Sequence, residues 1–483
     1  MPSKKKPPVI YCAAIDLGAT SGRVMLGRWD GAGLTLTEAH RFPNSFRTMG
    51  GHDYWDIGGL WEQIVAGLRK AVAHLPKGAV LASVGVDTWG VDYVLVDAAG
   101  RPVYPTFAYR DNRTQAGLKA LAADPVALAR IYAATGIPNV FYNASLQLAE
   151  TVATHPGVAK LAARCLFLPD YFNFLLSGRM VNEITIASTS QLLDGKRAAW
   201  SATALNHFKV PARWFTKPVL AGTRLGLVQG LDFIKGTEVV AVPGHDTACA
   251  YDAMPASPDG GDLYISSGTW SLVGYESEAP VLGADALAAR ISNERIGDGR
   301  YRPLTNVIGL WLLEGIMKNF ASRPKTDAEW TALITAAEKL PAPAALLNVT
   351  DPAFSNPISM KDAIDAQIKK RRLAAPKDLA AYTRLICSSL GRGHADAKAA
   401  FERLGGRKFR RILMVGGGSK NRLLCQATAN AAGVPVVAFA LEGTAVGNLA
   451  RQLISLRAVP NLATFRALLA PTLKPVTYSP QSR

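Results

Sequence analysis

The sequence predicts a mixed α/β protein of two related lobes about a central cleft, and three observations lead there. Two segments of one plan, apolar strand, small polar turn and returning strand, lie half a chain apart around Gly18 and Gly268, as a duplicated architecture requires. Helical stretches over Ile57 to Ala73, Leu118 to Thr135 and Leu379 to Leu404 follow strand-rich segments, which argues for helices packed on mixed sheets. Near the middle of the 483 residues, Ala253 to Gly261 is rich in Pro, Gly and Ser and interrupts the pattern. The expected division is a disordered basic tail of residues 1–8, an N-terminal lobe of residues 9–253 and a C-terminal lobe of residues 254–483.

The first strand is the apolar run from Val9 to Ile15; Gly18 to Gly22 form the turn and Arg23 to Trp29 the return. Ala19 and the glycines let backbone amides approach an anion, Thr20 and Ser21 add hydroxyl donors, and Arg23 adds a fixed positive charge. Asp16, at the strand end, is placed to hold a magnesium ion through water, because that ion keeps much of its hydration. The same glycines also suit a plain hairpin. The second such segment, Asp262 to Tyr275, carries Gly268 and Thr269, and two phosphate loops facing across a cleft would grip one nucleotide. A third glycine cluster, Gly416 to Gly418, follows the strand at Ile412 to Val415 and precedes a helix over Leu423 to Ala432, leaving room for a flat base or ribose. The dinucleotide-binding spacing and the Gly-x-x-x-x-Gly-Lys-Ser/Thr loop are both missing, which argues against dehydrogenase and P-loop classes.

Asp246 follows Gly244-His245 and precedes an Ala-rich run, which reads as a helix N-cap. A carboxylate at a helix N-terminus also stays ionised and suits a proton acceptor, so both roles are compatible. Asp87, Trp89 and Asp92 follow a buried strand over Ala82 to Val86. A Trp there can stack on a sugar face while carboxylates bind hydroxyls; equally, it can be a core Trp beside two turn-forming aspartates. His245 is open to the same two readings, contact or packing, and Tyr109 and Asp111 either line the cleft or end a strand.

The net charge of +17 invites a nucleic-acid partner, but Lys and Arg are dispersed apart from Lys4–Lys6 and Lys369–Arg372, without interleaved aromatics or zinc spacing. Small anionic substrates fit such a field without a polymer. Five single cysteines, no secretory segment and no long apolar span predict the cytoplasm and no membrane partner.

Several segments in order over nearly the whole chain resemble the FGGY family of sugar kinases, within the actin and Hsp70 (ribonuclease H-like) ATPase superfamily. They include Ile15 to Arg23, Val86 to Tyr93, Tyr109 to Thr114, Pro169 to Gly178, Ala187 to Asp194, Gly244 to Ala248, Ser266 to Ser271, Asn306 to Leu313 and Gly416 to Asn421. The resemblance implies phosphoryl transfer from ATP to a ketose, with Asp246 as general base and His245, Gly90 and Trp89 at the sugar. It implies Ala19, Thr20, Ser21, Gly22, Arg23, Thr269, Asn306 and Gly417 around ATP, with Asp16 associated with Mg2+. The implied acceptor is L-rhamnulose, ahead of L-fuculose, L-xylulose and D-xylulose. Glu314 stands where close members carry Gln, putting a carboxylate at the expected triphosphate unless Lys318 or Arg302 compensates.

Overall fold

In the computed structural model, residues 8–257, 259–354, 357–439 and 442–481 are described. The expectation of a disordered tail over residues 1–8 therefore lies, but for Pro8, outside the described residues. The chain forms two units: Met1–Pro255, Glu276–Pro303 and Glu442–Thr472 make the first, and Ala256–Tyr275, Leu304–Leu441 and Leu473–Arg483 the second.

In the first unit, the apolar strands Ile10–Leu17, Leu81–Thr88 and Glu238–Ala241 pair in parallel and form the buried centre of a six-stranded sheet. Ser21–Trp29 and Leu34–Pro43 extend it antiparallel on one side and Thr223–Leu227 on the other. Parallel strands covered by helices read as near-continuous apolar runs, as Ile10–Leu17 does. Helix Ile57–Ala73 begins where the Asp56 side chain accepts the Gly59 amide at 2.9 Å, and buries Leu60, Ile64, Leu68 and Ala71 on one face.

Two segments distant in sequence complete this unit. Helix Gly443–Ser455 sends Gln452 to the carbonyl of Ala13 (2.9 Å) and to Ser83, and its Arg451 pairs with the fully buried Asp252. Arg295, on strand Ser292–Arg295, ties its segment to the first unit: its amide donates to the Ser188 hydroxyl at 2.9 Å. Among the described residues, Gln452, Arg451 and the Arg295 amide find these partners within the first unit. The chain thus leaves that unit near the expected boundary but returns to it twice, so the units differ from contiguous lobes of residues 9–253 and 254–483.

In the second unit, strand Asp262–Ser267 pairs antiparallel with Trp270–Gly274 and parallel with Arg411–Val415. Trp270–Gly274 pairs onward with Tyr301–Ile308, and Val436–Ala438 and Val476–Tyr478 continue on the far side. Helix Leu379–Gly405, capped by Asp378, is the longest element, and Arg422–Ala432 is capped by Asn421.

One expected helix divides. Leu118 to Thr135 becomes Gln115–Ala122 and Pro125–Thr135, because Pro125 has no amide to continue the first helix and Asp124 caps the second through the Ala127 amide. Among the described residues no helix is long and apolar enough to cross a membrane.

Helix Asp246–Ala253 packs so closely on Gly443–Ser455 that a Cβ on Gly447 would lie 1.8 Å from the Cys249 carbonyl oxygen. Gly447→Ala must separate two backbones, and should cost at least the ~1–3 kcal/mol of core overpacking. Denaturant unfolding checks this; a variant within about 0.5 kcal/mol of the parent would show that the helices yield freely.

Candidate functional site

Register brings the first-unit acids together. Asp16 and Asp87 are direct partners on neighbouring parallel strands, Thr88 bridges to His245, and the Thr88 amide donates to the Gly244 carbonyl at 2.9 Å. Asp16, Asp87 and the Gly244-His245-Asp246 loop therefore share the C-terminal edge of the central strands, where open α/β sheets place their ligands.

Each acid is held differently. Asp16 is buried and paired with Arg23 (Nη2 at 2.7 Å), whose Nη1 reaches Glu442 at 2.5 Å. Burial raises the Asp16 carboxyl; Arg23 pulls it back, and Asp246 and Glu442 push it up again. Asp87 is fully buried, accepts Asn448 Nδ2 on Oδ2 at 2.6 Å, and has no partner for Oδ1 among the described residues. Burial, then the Asp16 charge, pushes it well above the carboxylate range.

Asp246 is half-exposed and opens its helix, but His245 occupies the N-cap position, so the expected cap is displaced by one residue. The chain turns at His245, which has extended backbone, and Asp246 is already helical. Its Oδ1 instead accepts the Thr247 amide at 2.5 Å and hydroxyl at 3.0 Å.

Around the loop, His245 Nε2 lies 3.4 Å from Asp246 Oδ1, and a Cβ on Gly90 would come within 3.3 Å of Nε2. Gly90 and His245 are thus neighbours, and Val91 beside them is held at φ 70° with its amide on Thr189 Oγ1. A β-branched residue in that region is strained, and such strain gathers where geometry is over-determined. Trp89 is buried, with its ring 4.3 Å from Trp55, and both indole N–H groups donate to Asp92 Oδ2. Asp92 is buried, pushed up to about 6 by burial against these donors, and its oxygens are occupied by indoles, the Tyr109 amide and Gln147. The expectation that the Asp92 carboxylate binds hydroxyls gives way to its role as the hub of this wall. Asp111 is likewise buried and accepts from His52, the Asp53 amide and the Arg113 amide.

The Gly18–Arg23 turn is the expected hairpin. The Gly18 amide donates to Ser21 O at 2.9 Å, Asn44 pins the turn through Gly18 O and Thr20 O, and Thr20 is exposed at its tip. Gly22 has a packing reason, since its Cβ would strike the Phe42 ring.

In the second unit, Thr269 lies in the second hairpin's turn, Asn306 on the strand paired with that hairpin, and Gly417 after the strand on its other side. The Gly309 amide donates to Thr269 O and the Leu310 amide to Gly268 O. Asn306, exposed on its strand, faces Leu272 of the second hairpin. Gly416 and Gly418 press on Ser267, where added Cβ atoms would lie 2.5 and 2.1 Å from its oxygens, and Gly417 between them is exposed. Glu314 is exposed on the short helix Trp311–Met317. The expected compensators are committed elsewhere: Lys318 Nζ sits 5.8 Å over the Trp311 ring, and fully buried Arg302 is paired with Glu294.

Sequence reasoning missed Glu183, Asn448 and Glu294, and named Arg302 only as a compensator for Glu314. Asn448 and Gln452 leave a trace, two amides at i and i+4 on the buried face of a helix that also carries Arg451. Glu183 and Glu294 sit in unremarkable local sequence, and only folding brings them to His245 and Gly244.

Solved structures with this fold include a xylulose kinase from Rhodospirillum rubrum (TM-score 0.81, 17% identity, covering 98% of this chain and 94% of that one). A Plasmodium falciparum glycerol kinase with ADP superposes at TM-score 0.79 and 14% identity, over 98% and 94%. The fold is thus that of the two-domain, ATPase-like sugar kinases. Residues 11–251 match the N-terminal domain, and residues 263–456 the C-terminal domain, of the FGGY family of carbohydrate kinases. A rhamnulokinase of Enterobacter sp. (strain 638) is 39% identical over 476 residues, 98% of this chain and 95% of that protein. One of Klebsiella pneumoniae subsp. pneumoniae is 38% identical over 475 residues, 97% and 94%. The chain belongs to the FGGY family of carbohydrate kinases and is a sugar kinase.

Glu183 supports the loop from below. Its Oε2 accepts the Thr185, Ile186 and Gly244 amides, while Oε1 is buried without a partner among the described residues. Burial pushes its carboxyl up to about 7 despite these donors, and burial and Glu183 push Asp170 the same way. A raised carboxyl binds its proton more tightly folded than unfolded, so stability is lost as pH rises from the ordinary value of 4.5 to about 7. Glu183→Gln removes this loss. Its melting temperature relative to the parent should therefore rise between pH 5 and pH 7.5, and a constant difference would mean that Glu183 is ionised throughout.

Proposed function

We propose that the protein transfers the terminal phosphate of ATP to the C1 hydroxyl of L-rhamnulose, giving L-rhamnulose 1-phosphate and ADP. The observation that carries this reading is the convergence of Gly90, His245 and Asp246 at one strand edge, in a chain similar over nearly its whole length to rhamnulokinases.

In this reading Asp246 is the general base. Thr247 holds Oδ1, so Oδ2 accepts the hydroxyl proton as the sugar oxygen bonds to the terminal phosphorus and the bond from that phosphorus to the ADP oxygen breaks. His245 bonds a sugar hydroxyl, Gly90 leaves the space for it, and Trp89, fixed through Asp92, forms the pocket wall. Ala19, Thr20, Ser21, Gly22 and Arg23 of the first unit serve ATP, as do Thr269, Asn306 and Gly417 of the second, whereas the exposed Glu314 carboxylate would repel its phosphates.

Magnesium belongs to the same reading. Among the described residues no three His, Cys, Asp or Glu form a ready cage. Asp16 beside Asp87, whose Oδ1 is buried and unpartnered among the described residues, fits an ion that keeps most of its water. Such an ion would neutralise phosphate charge, with Asp16 holding it.

Asp246→Asn should retain the fold and ATP binding while losing about 10²–10⁴-fold in kcat, measured by coupled ADP release. Parallel losses of stability and activity would remove the base assignment. Among L-rhamnulose, L-fuculose, L-xylulose, D-xylulose and D-fructose, kcat/KM should be highest for L-rhamnulose; another leader would keep the mechanism and change the substrate.

A further inference from the structure

His245 is held from behind by an ion pair that the phosphoryl-transfer chemistry does not call for. Glu294 Oε2 lies 3.0 Å from His245 Nδ1, and Arg302 Nη2 contacts both Glu294 Oε2 and His245 Nδ1. Arg302 is fully buried, over the ring of Tyr251 on the helix that Asp246 opens. Its Nε and Nη1 have no partner among the described residues, so its charge is expensive to keep there. Burial alone would raise the Glu294 carboxyl, but Arg302 and His245 overcome it and hold the group down to about 2.

A buried ion pair is weak evidence for stability, since apolar residues of similar size often serve as well or better. Its geometry offers a different use. Nδ1 donates to Glu294 or accepts from Arg302 according to its tautomer, and in either case turning the imidazole over would replace that nitrogen with carbon against two charged groups. Nε2 is thereby the nitrogen directed at Asp246 and at the space over Gly90.

We propose that Glu294, anchored by Arg302, is a positioning residue for sugar recognition: it fixes the His245 ring so that Nε2 faces the sugar hydroxyl. The inference rests on the reading of His245 as a sugar contact. Glu294 touches no substrate in this scheme and acts through His245 alone.

Steady-state kinetics of the full chain, with L-rhamnulose and ATP varied separately, test it by a double-mutant cycle. Glu294→Gln should raise KM for the sugar about 10-fold or more and leave KM for ATP within about 2-fold. In a His245→Asn background, Glu294→Gln should have no further effect on the sugar KM. Because Glu294→Gln leaves Arg302 with a weaker partner, the paired change Glu294→Leu with Arg302→Met supplies a variant without buried charge; it should fold and show the same rise in sugar KM. If His245→Asn raises the sugar KM and neither Glu294 variant does, the positioning role is overturned while the sugar contact stands. If the Glu294 effect persists undiminished without His245, the residue acts by another route and the proposal fails. If His245→Asn itself leaves the sugar KM unchanged, the reading beneath it fails first.

Discussion

The constraint on which the first unit depends is the crowding of carboxyl groups at the edge of its central strands. Asp16 and Asp87 are forced together by strand register, and the Gly244–Asp246 loop is bonded beside them through Thr88. Like charges in a desolvated place repel far more strongly than in water, so each acid requires its own remedy. Arg23 answers Asp16, Asn448 answers one oxygen of Asp87, and the first turn of the helix answers Asp246. Asn448 lies more than 350 residues after Asp87 and arrives with helix Gly443–Ser455, where the end of the chain returns to the first unit. Room for it is made by Gly85, where a Cβ would lie 3.0 Å from Asn448 Oδ1 and 2.5 Å from Val242.

A second layer of acids behind the loop follows the same rule with opposite outcomes. Glu294 faces a guanidinium and stays ionised; Glu183 faces amides and a hydroxyl, and burial keeps a proton on it to about pH 7. The difference lies in the partner. Several neutral hydrogen bonds do not outweigh the loss of water around a carboxylate here, whereas a fixed positive charge together with the His245 contact does. The two groups support the same loop, Glu183 through the Gly244 backbone and Glu294 through the His245 ring, so its position is set from two sides.

Much of this was legible in the chain itself. Helix Ile57–Ala73 was legible at both ends, and the strand-turn-strand plan placed both hairpins. The split at Pro125 shows where apolar periodicity overrode a local breaker that should have prevailed. Pocket chemistry was less legible. Asp92 reads as a sugar ligand until Trp55, from another element, claims the same oxygen as Trp89. Likewise, Gly416 and Gly418 read as space for a nucleotide, but packing against Ser267 already requires both, leaving Gly417 as the one not pressed against it. Local sequence names the residue types available; it does not say which long-range partner takes each polar atom.

Arg23 illustrates what that means for function. As a sequence feature it adds positive charge to an anion-binding turn, yet in the fold it is shared between Asp16 and Glu442. Even with a proton on Asp87, the carboxylates of Asp16, Asp246 and Glu442 outnumber it. The turn therefore offers amides and hydroxyls to a phosphate but no surplus of positive charge. A bare triphosphate would meet net repulsion there, while one that brings a divalent cation presents the charge this edge lacks. On the proposed reading, the nucleotide is admitted as its magnesium complex because Arg23, the guanidinium of this turn, is already committed to holding Asp16 in place.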